Sequence, residues 1–183
     1  TAYAVRTSAS LFVVALLLTG CQTVGPVLEE FGYVRDVAAA GPVPSERPAA
    51  ASGPYTVVQV VDGDTIDVTD VETGVQRVRL IGVDTPETKD PDEPVQCWGP
   101  EATAATETLV SSGQVWLEED AVAGDRDRHG RTLAYVWTDQ GLVNLALIEQ
   151  GAGKAYAFRN QRYRWRSEFE DAQKRAMLTE AGL

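Results

Sequence analysis

Apolar and polar positions divide the chain into three stretches of different texture. Residues 8–20 form one apolar block, Ser-Ala-Ser-Leu-Phe-Val-Val-Ala-Leu-Leu-Leu-Thr-Gly. Residues 22–54 carry Ala, Gly, Val and Pro (Pro26, Pro42, Pro44, Pro48, Pro54) without periodicity. From Tyr55 onward the pattern is that of a compact mixed domain. Tyr55–Val61 alternates weakly and is rich in Val, which predicts a strand. Asp62-Gly63-Asp64 supplies the Asp-Gly signal of a tight hairpin, and Thr65–Thr69 alternates strictly as a second strand. Glu72-Thr73-Gly74 reads as another turn and Val75–Val83 as a third strand, completing an antiparallel meander. Pro100 at a first helical position and Glu101 in the first turn predict a helix over Glu101–Ser111, stopped at Gly113. Further strands are predicted at Gln114–Glu118 and Arg131–Thr138, and a short apolar helix at Leu142–Gln150. A last helix, Arg162–Leu178, places Trp165, Phe169, Ala172 and Ala176 on one stripe.

Five short strands interrupted by one helix and followed by two more predict a small α+β domain over residues 55–183. That order is compatible with an OB-type five-stranded β-barrel carrying three helices. The apolar block ahead of it is shorter than the ~20 residues of a membrane-spanning helix. With Arg6 before it, the block reads as a signal peptide over residues 1–20. Leu18-Thr19-Gly20-Cys21 resembles a bacterial lipobox, so Cys21 is expected to carry lipid; a plain secretory signal with an incidental cysteine is the alternative. Residues 22–54 cannot bury enough surface to offset their ordering entropy and read as a tether. The expected location is extracytoplasmic, membrane-anchored or secreted. The two cysteines are Cys21 and Cys97. With Cys21 committed to lipid, no structural disulfide is expected, and Cys97 beside Trp98 reads as a small packed residue.

Charge complicates the picture. The formal net charge is −11, whereas a polyanion-binding protein gains affinity from neutralising phosphates. Arginines nevertheless cluster at Arg126, Arg128 and Arg131, and again at Arg159, Arg162, Arg164 and Arg166. A bound divalent cation would also reverse the local field. The second cluster reads as a solvated helix face with Arg164–Glu168 and Arg166–Glu170 pairs; a nucleic-acid ledge with Tyr163 and Trp165 is the other reading.

The acids carry more information. Asp62 and Asp64 flank the hairpin glycine, and Asp84 and Glu87 follow the third strand. The antiparallel return brings Asp64 and Asp84 to one end of the sheet. Carboxylates converging there repel one another unless a cation sits among them, and oxygen-only ligands suit Ca²⁺ or Mg²⁺. Singly, each motif is turn chemistry. Together with Arg79 and Arg131 they form the set that phosphodiester hydrolysis needs: a cation, guanidiniums on the phosphoryl oxygens and a base for water.

Val61-Asp62-Gly63-Asp64-Thr65, the run from Arg79 through Asp84-Thr85-Pro86-Glu87-Thr88, Gly99-Pro100-Glu101-Ala102 and Asp127-Arg128-His129-Gly130-Arg131 closely resemble the thermonuclease (staphylococcal-nuclease) family in order and spacing. Val143-Asn144-Leu145-Ala146-Leu147 and Gln150-Gly151 continue the likeness. The resemblance implies an OB-fold and a Ca²⁺-dependent endonuclease acting on DNA and RNA, expected to be a monomer. It makes Asp64 and Asp84 the metal-binding carboxylates and Thr85 the backbone carbonyl ligand, with Asp62 just outside the metal's immediate ligands. It makes Glu87 the general base, and Arg79 and Arg131 the groups that hold the phosphate. His129 stands where the family often has Tyr, and could stack on a base as that ring does. Tyr156 matches a nucleotide-contacting tyrosine, whereas Phe158 stands at the second such position without its hydroxyl. Two alternatives remain open: a non-catalytic nucleic-acid-binding module, which predicts losses among Asp64, Asp84, Glu87, Arg79 and Arg131, and an envelope interaction lipoprotein. None of the five is lost.

Overall fold

The computed structural model describes residues 46–89 and 94–182. The signal peptide, the lipobox with Cys21 and most of the tether lie outside the described residues. The elements are β1 (Ser52–Asp62), β2 (Thr65–Asp70), β3 (Gly74–Leu80), β4 (Val83–Asp84), α1 (Gly99–Leu109) and β5 (Gln114–Glu118). Then follow β6 (Thr132–Thr138), β7 (Gly141–Leu142), α2 (Val143–Glu149), β8 (Lys154–Ala155) and α3 (Arg166–Leu178).

Strands β3-β2-β1-β5-β6 are paired in that order, and β3 pairs back onto β6 in parallel, which closes a five-stranded barrel. The fold is therefore α+β, an OB-type barrel with three helices. Strand β1 is long enough to serve two neighbours: Thr56 to Asp62 pair with β2, and Ser52 to Thr56 pair with β5. It begins at Ser52, inside the stretch read as tether, and Arg47 stacks 3.7 Å over the Trp116 ring just ahead of it. The closing seam pairs Val78 with Thr132, Arg79 with Leu133 and Leu80 with Ala134. Val78, Leu80 and Ala134 are buried in the core. Buried Asn144, from α2, staples the end of this seam. Its Oδ1 accepts the Val136 N–H and its Nδ2 donates to the Ile81 carbonyl, each at 2.8 Å.

The single strand expected over Val75–Val83 is two. At Gly82 the backbone turns to φ +78°, and a Cβ there would lie 2.8 Å from the Tyr163 and Phe169 rings. Only glycine meets both demands. The kink releases Val83 and Asp84 to pair with Ala155 and Lys154 of β8.

The last helix starts four residues later than expected, at Arg166. Phe169, Ala172 and Ala176 are buried as the stripe predicts. Residues 162–165 are held by other partners. Tyr163 is buried, and the Trp165 ring meets Tyr135 and Trp137 edge-on at 6.5 and 6.3 Å. The Arg164 N–H donates to Asp120 at 2.7 Å, and its guanidinium pairs with Glu118. The Arg166–Glu170 pair is present at 2.7 Å. The expected Arg164–Glu168 pair is not; Glu168 accepts the Ser167 hydroxyl instead. Glu118 is only 3% exposed and also accepts the Trp137 indole N–H at 2.8 Å. Burial alone would raise the pKa of neighbouring Asp120. The Tyr135 hydroxyl and the N–H groups of Arg164, Val122 and Ala123 overcome it and hold the carboxyl below the usual range.

Cys97 is disulfide-bonded, which corrects the expectation of no structural disulfide. That expectation assigned the sulfur of Cys21, the chain's other cysteine, to lipid; a sulfur holds a thioether or a disulfide, not both. Among the described residues no helix is long and apolar enough to cross a membrane.

Arg164 is thus the counter-charge of a buried carboxylate rather than part of a surface pair. Arg164→Ala is expected to lower stability by roughly 1–3 kcal/mol, read as a reduced urea midpoint at constant slope. A midpoint equal to wild type would mean that the indole N–H groups satisfy Glu118 alone.

Candidate active site

The site is assembled from the β1–β2 hairpin, the Gly82 kink with β4, the segment after β4, and the loop that leads into β6. The hairpin turn is tight because it is packed from outside. A Cβ on Gly63 would lie 2.7 Å from Thr85 Oγ1 and 2.9 Å from both Thr85 Cβ and Ala102 Cβ. The Gly63 carbonyl accepts the Thr106 hydroxyl of α1 at 2.6 Å. Helix α1 and the Asp84-Thr85 segment therefore close directly on the acid-bearing turn.

Asp64 is the hub of this contact. Its Oδ1 accepts the Thr65 hydroxyl at 3.0 Å, and its Oδ2 accepts the Thr85 N–H at 3.0 Å. The same Oδ2 lies 3.0 Å from Arg79 Nη2, which also reaches Asp84 Oδ1 at 3.4 Å. Arg79 Nη1 donates to the carbonyls of Leu80 and Val83, each at 2.8 Å. One guanidinium thus spans the Gly82 kink and ties both predicted metal-binding acids to it. Asp62, also buried, accepts the Asp64 N–H at 3.2 Å.

The charges are crowded. Burial, then repulsion from Asp64, pushes Asp62 up to about 6. Asp84 is also raised, by burial first, with Arg79 opposing and Asp64 adding to it. Glu87 Oε1 accepts the N–H groups of Thr88 and Lys89 at 2.8 and 2.6 Å, so its carboxylate is clasped by its own segment. Asp127 organises the loop before β6. It accepts the N–H groups of His129 and Arg131 at Oδ1, and Arg131 Nε at 2.7 Å on Oδ2.

Asp62, Thr65, Arg77, Glu87, Lys89 and Arg131 line one open cleft of about 240 Å³. The structure therefore brings Glu87 and Arg131, predicted from opposite parts of the chain, to one cavity. Asp64, Arg79, Asp84 and Thr85 form a connected group beside Asp62. His129 lines an adjoining depression of about 400 Å³ with Asp67, Val75, Arg77, Gly130 and Arg131, and its Nε2 accepts Arg128 Nε at 2.8 Å. Tyr156 lines neither depression. Its N–H donates to the Gly82 carbonyl at 2.9 Å, and its side chain is exposed, as is that of Phe158. Sequence reasoning missed Arg77 and Lys89. Arg77 was accessible from strand period alone, since it stands two residues before Arg79 and shares its face.

Residues 77–183 match the family described as Staphylococcal nuclease homologue. The chain belongs to the staphylococcal nuclease homologue family. Within it, the chain is 43% identical to a thermonuclease of Staphylococcus hyicus over 122 residues, covering 67% of this chain and 70% of that protein. It is 40% identical to a thermonuclease of Staphylococcus intermedius over 129 residues, 70% of this chain and 74% of that one. Endonuclease YncB of Bacillus subtilis is 42% identical over 106 residues, 56% of this chain and 48% of its own.

Among the described residues, no three acidic, His or Cys side chains converge as a formed metal cluster. The donor chemistry of this family member still suits a hard cation. Asp62, Asp64, Asp84 and Glu87 are opposed by Arg79 and by an Arg131 already paired with Asp127. The two raised carboxyls are those that an added positive charge would relieve.

Gly63→Ala tests how tightly the turn is built. The methyl group meets Cβ atoms fixed to two other segments, so the backbone must shift. A loss of about 1–3 kcal/mol is expected, with weaker protection of the Thr85 amide in hydrogen exchange as Asp64 moves away. Unaltered Thr85 exchange would show that the turn and the Thr85 segment are not coupled.

Proposed function

We propose that this chain is a Ca²⁺-dependent endonuclease that hydrolyses phosphodiester bonds of DNA and RNA. The observation that carries the reading is the meeting of Glu87 and Arg131 in one cleft beside the Asp64–Arg79–Asp84 tie. Relatives named thermonuclease and endonuclease support it. Asp64 and Asp84, with the Thr85 carbonyl, would hold the ion, and Asp62 would shape the field beside them. When bound, Ca²⁺ supplies positive charge against the phosphoryl oxygens.

The remaining work belongs to side chains. Glu87 is held through Oε1 by two amides, which leaves Oε2 to take the proton of the attacking water. As the new P–O bond forms and the bond to the leaving nucleoside oxygen breaks, Arg79 and Arg131 meet the growing charge on the phosphoryl oxygens, and the leaving oxygen takes a proton from solvent water to become a hydroxyl. His129 stacks on a base in the adjoining depression, and Tyr156 contacts the nucleotide from its exposed position. The enzyme acts as a monomer.

The chain is expected to degrade denatured DNA and RNA with Ca²⁺ and to lose that activity in excess chelator. Glu87→Gln and Arg131→Ala should each lower kcat by roughly 10²-fold or more, measured by saturation kinetics. Full activity in chelator, or a Glu87→Gln variant as fast as wild type, contradicts the assignment.

We further propose that the chain is exported, with the apolar block over residues 8–20 as its signal and the residues between that block and β1 as a spacer. The Cys97 disulfide, in a chain whose other cysteine is Cys21, fits an oxidising compartment and leaves no sulfur for the lipid expected at Cys21. The intact mass of the exported protein should carry no acyl chains; a mass that includes them contradicts the disulfide.

A further inference from the structure

Arg77 is in neither the predicted catalytic set nor the predicted substrate-binding set, yet it lines both depressions. It borders the catalytic cleft with Glu87, Lys89 and Arg131, and the adjoining one with His129 and Gly130. It and Arg131 are the two residues common to both, so the two depressions form one track that passes between two guanidiniums. Arg77 is also pre-set. Its Nε and Nη2 donate to the two oxygens of Asp67 at 2.8 and 2.9 Å. Asp67 is the register partner of Arg77 on β2, is 5% exposed, and is itself fixed by Gln59 Nε2 at 2.6 Å. The Arg77 side chain remains 49% exposed. A bidentate pair holds one edge of the fork and leaves Nη1 available at low entropic cost.

We propose that Arg77 binds a second phosphodiester, the one adjoining the scissile phosphate on the strand that runs from the catalytic cleft toward His129. This rests on the nuclease reading and adds to it a second phosphate contact. The ligand class follows from the fork and the track: a phosphate anion whose neighbour lies at Arg131 and Glu87. An arginine serving only β2–β3 pairing would not need to face the track.

The test compares Arg77→Gln and Arg77→Lys with wild type. In a Glu87→Gln background with Ca²⁺, binding of a single-stranded oligonucleotide is titrated at several salt concentrations. Arg77→Gln should reduce the slope of log K against log salt by about 0.7, the value for one phosphate contact on a single strand. Arg77→Lys should restore it, since an ammonium also meets phosphate as a point charge. In the otherwise native enzyme, Arg77→Gln should raise KM for an oligonucleotide about tenfold more than KM for a dinucleotide, which has one phosphodiester. An unaltered slope, or equal KM changes on the two substrates, overturns the proposal and leaves Arg77 a structural partner of Asp67. The slope reads the contact whether or not the strand is cut. Absence of cleavage by the wild type would therefore count against the nuclease reading, while the slope still decides the role of Arg77.

Discussion

The parallel pairing of β3 with β6 is the constraint on which the site depends. The two strands are separated by β4, α1 and β5 in sequence, and their register places Arg79 opposite Leu133. Because β6 begins directly after the Asp127–Arg131 loop, closing the barrel delivers that loop to the strand that carries Arg79. The same closure packs Val78, Leu80 and Ala134 in the core, so apolar burial holds the polar constellation in place. Asn144 adds a specific lock, because it satisfies a buried N–H and a buried carbonyl on two different segments.

On that frame, the chemistry is a problem of crowded charge. Arg79 reaches two carboxylates and two carbonyls at once, which is possible only because the chain kinks at Gly82 and turns Asp84 back. One guanidinium does not neutralise four nearby acids, and Asp62 and Asp84 are raised by burial first and by repulsion from Asp64 besides. The overall charge of −11 is therefore a poor guide to what the cleft attracts. Arg77, Lys89 and Arg131 line it beside Asp62 and Glu87, so cationic groups meet the acids within the cleft itself.

Much of this is legible in the amino-acid sequence. The hairpin followed from Asp-Gly between alternating runs, and the acids with Arg79 and Arg131 followed from motif spacing. What escaped was decided at long range. Within Val75–Val83 no turn motif marks the end of the strand beyond a lone glycine, and the kink at Gly82 is imposed by Tyr163 and Phe169, some eighty residues away. The helical spacing of residues 162–178 is real, yet Arg164 is drawn out of the helix by Glu118, 46 residues earlier. Periodicity reports the face a residue shares with its neighbours and is silent about a buried partner on another element. Arg77 escaped for a different reason: its strand face was readable, but no motif marked it.

The acids around Arg79 are proposed to form a site for one Ca²⁺ ion. Calorimetric titration of Ca²⁺ into the chain and into Asp84→Asn tests it without reference to turnover. A single saturable site is expected in the wild type, lost or much weakened in the variant. Heats no different from dilution in the wild type, or the same affinity in Asp84→Asn, would contradict it.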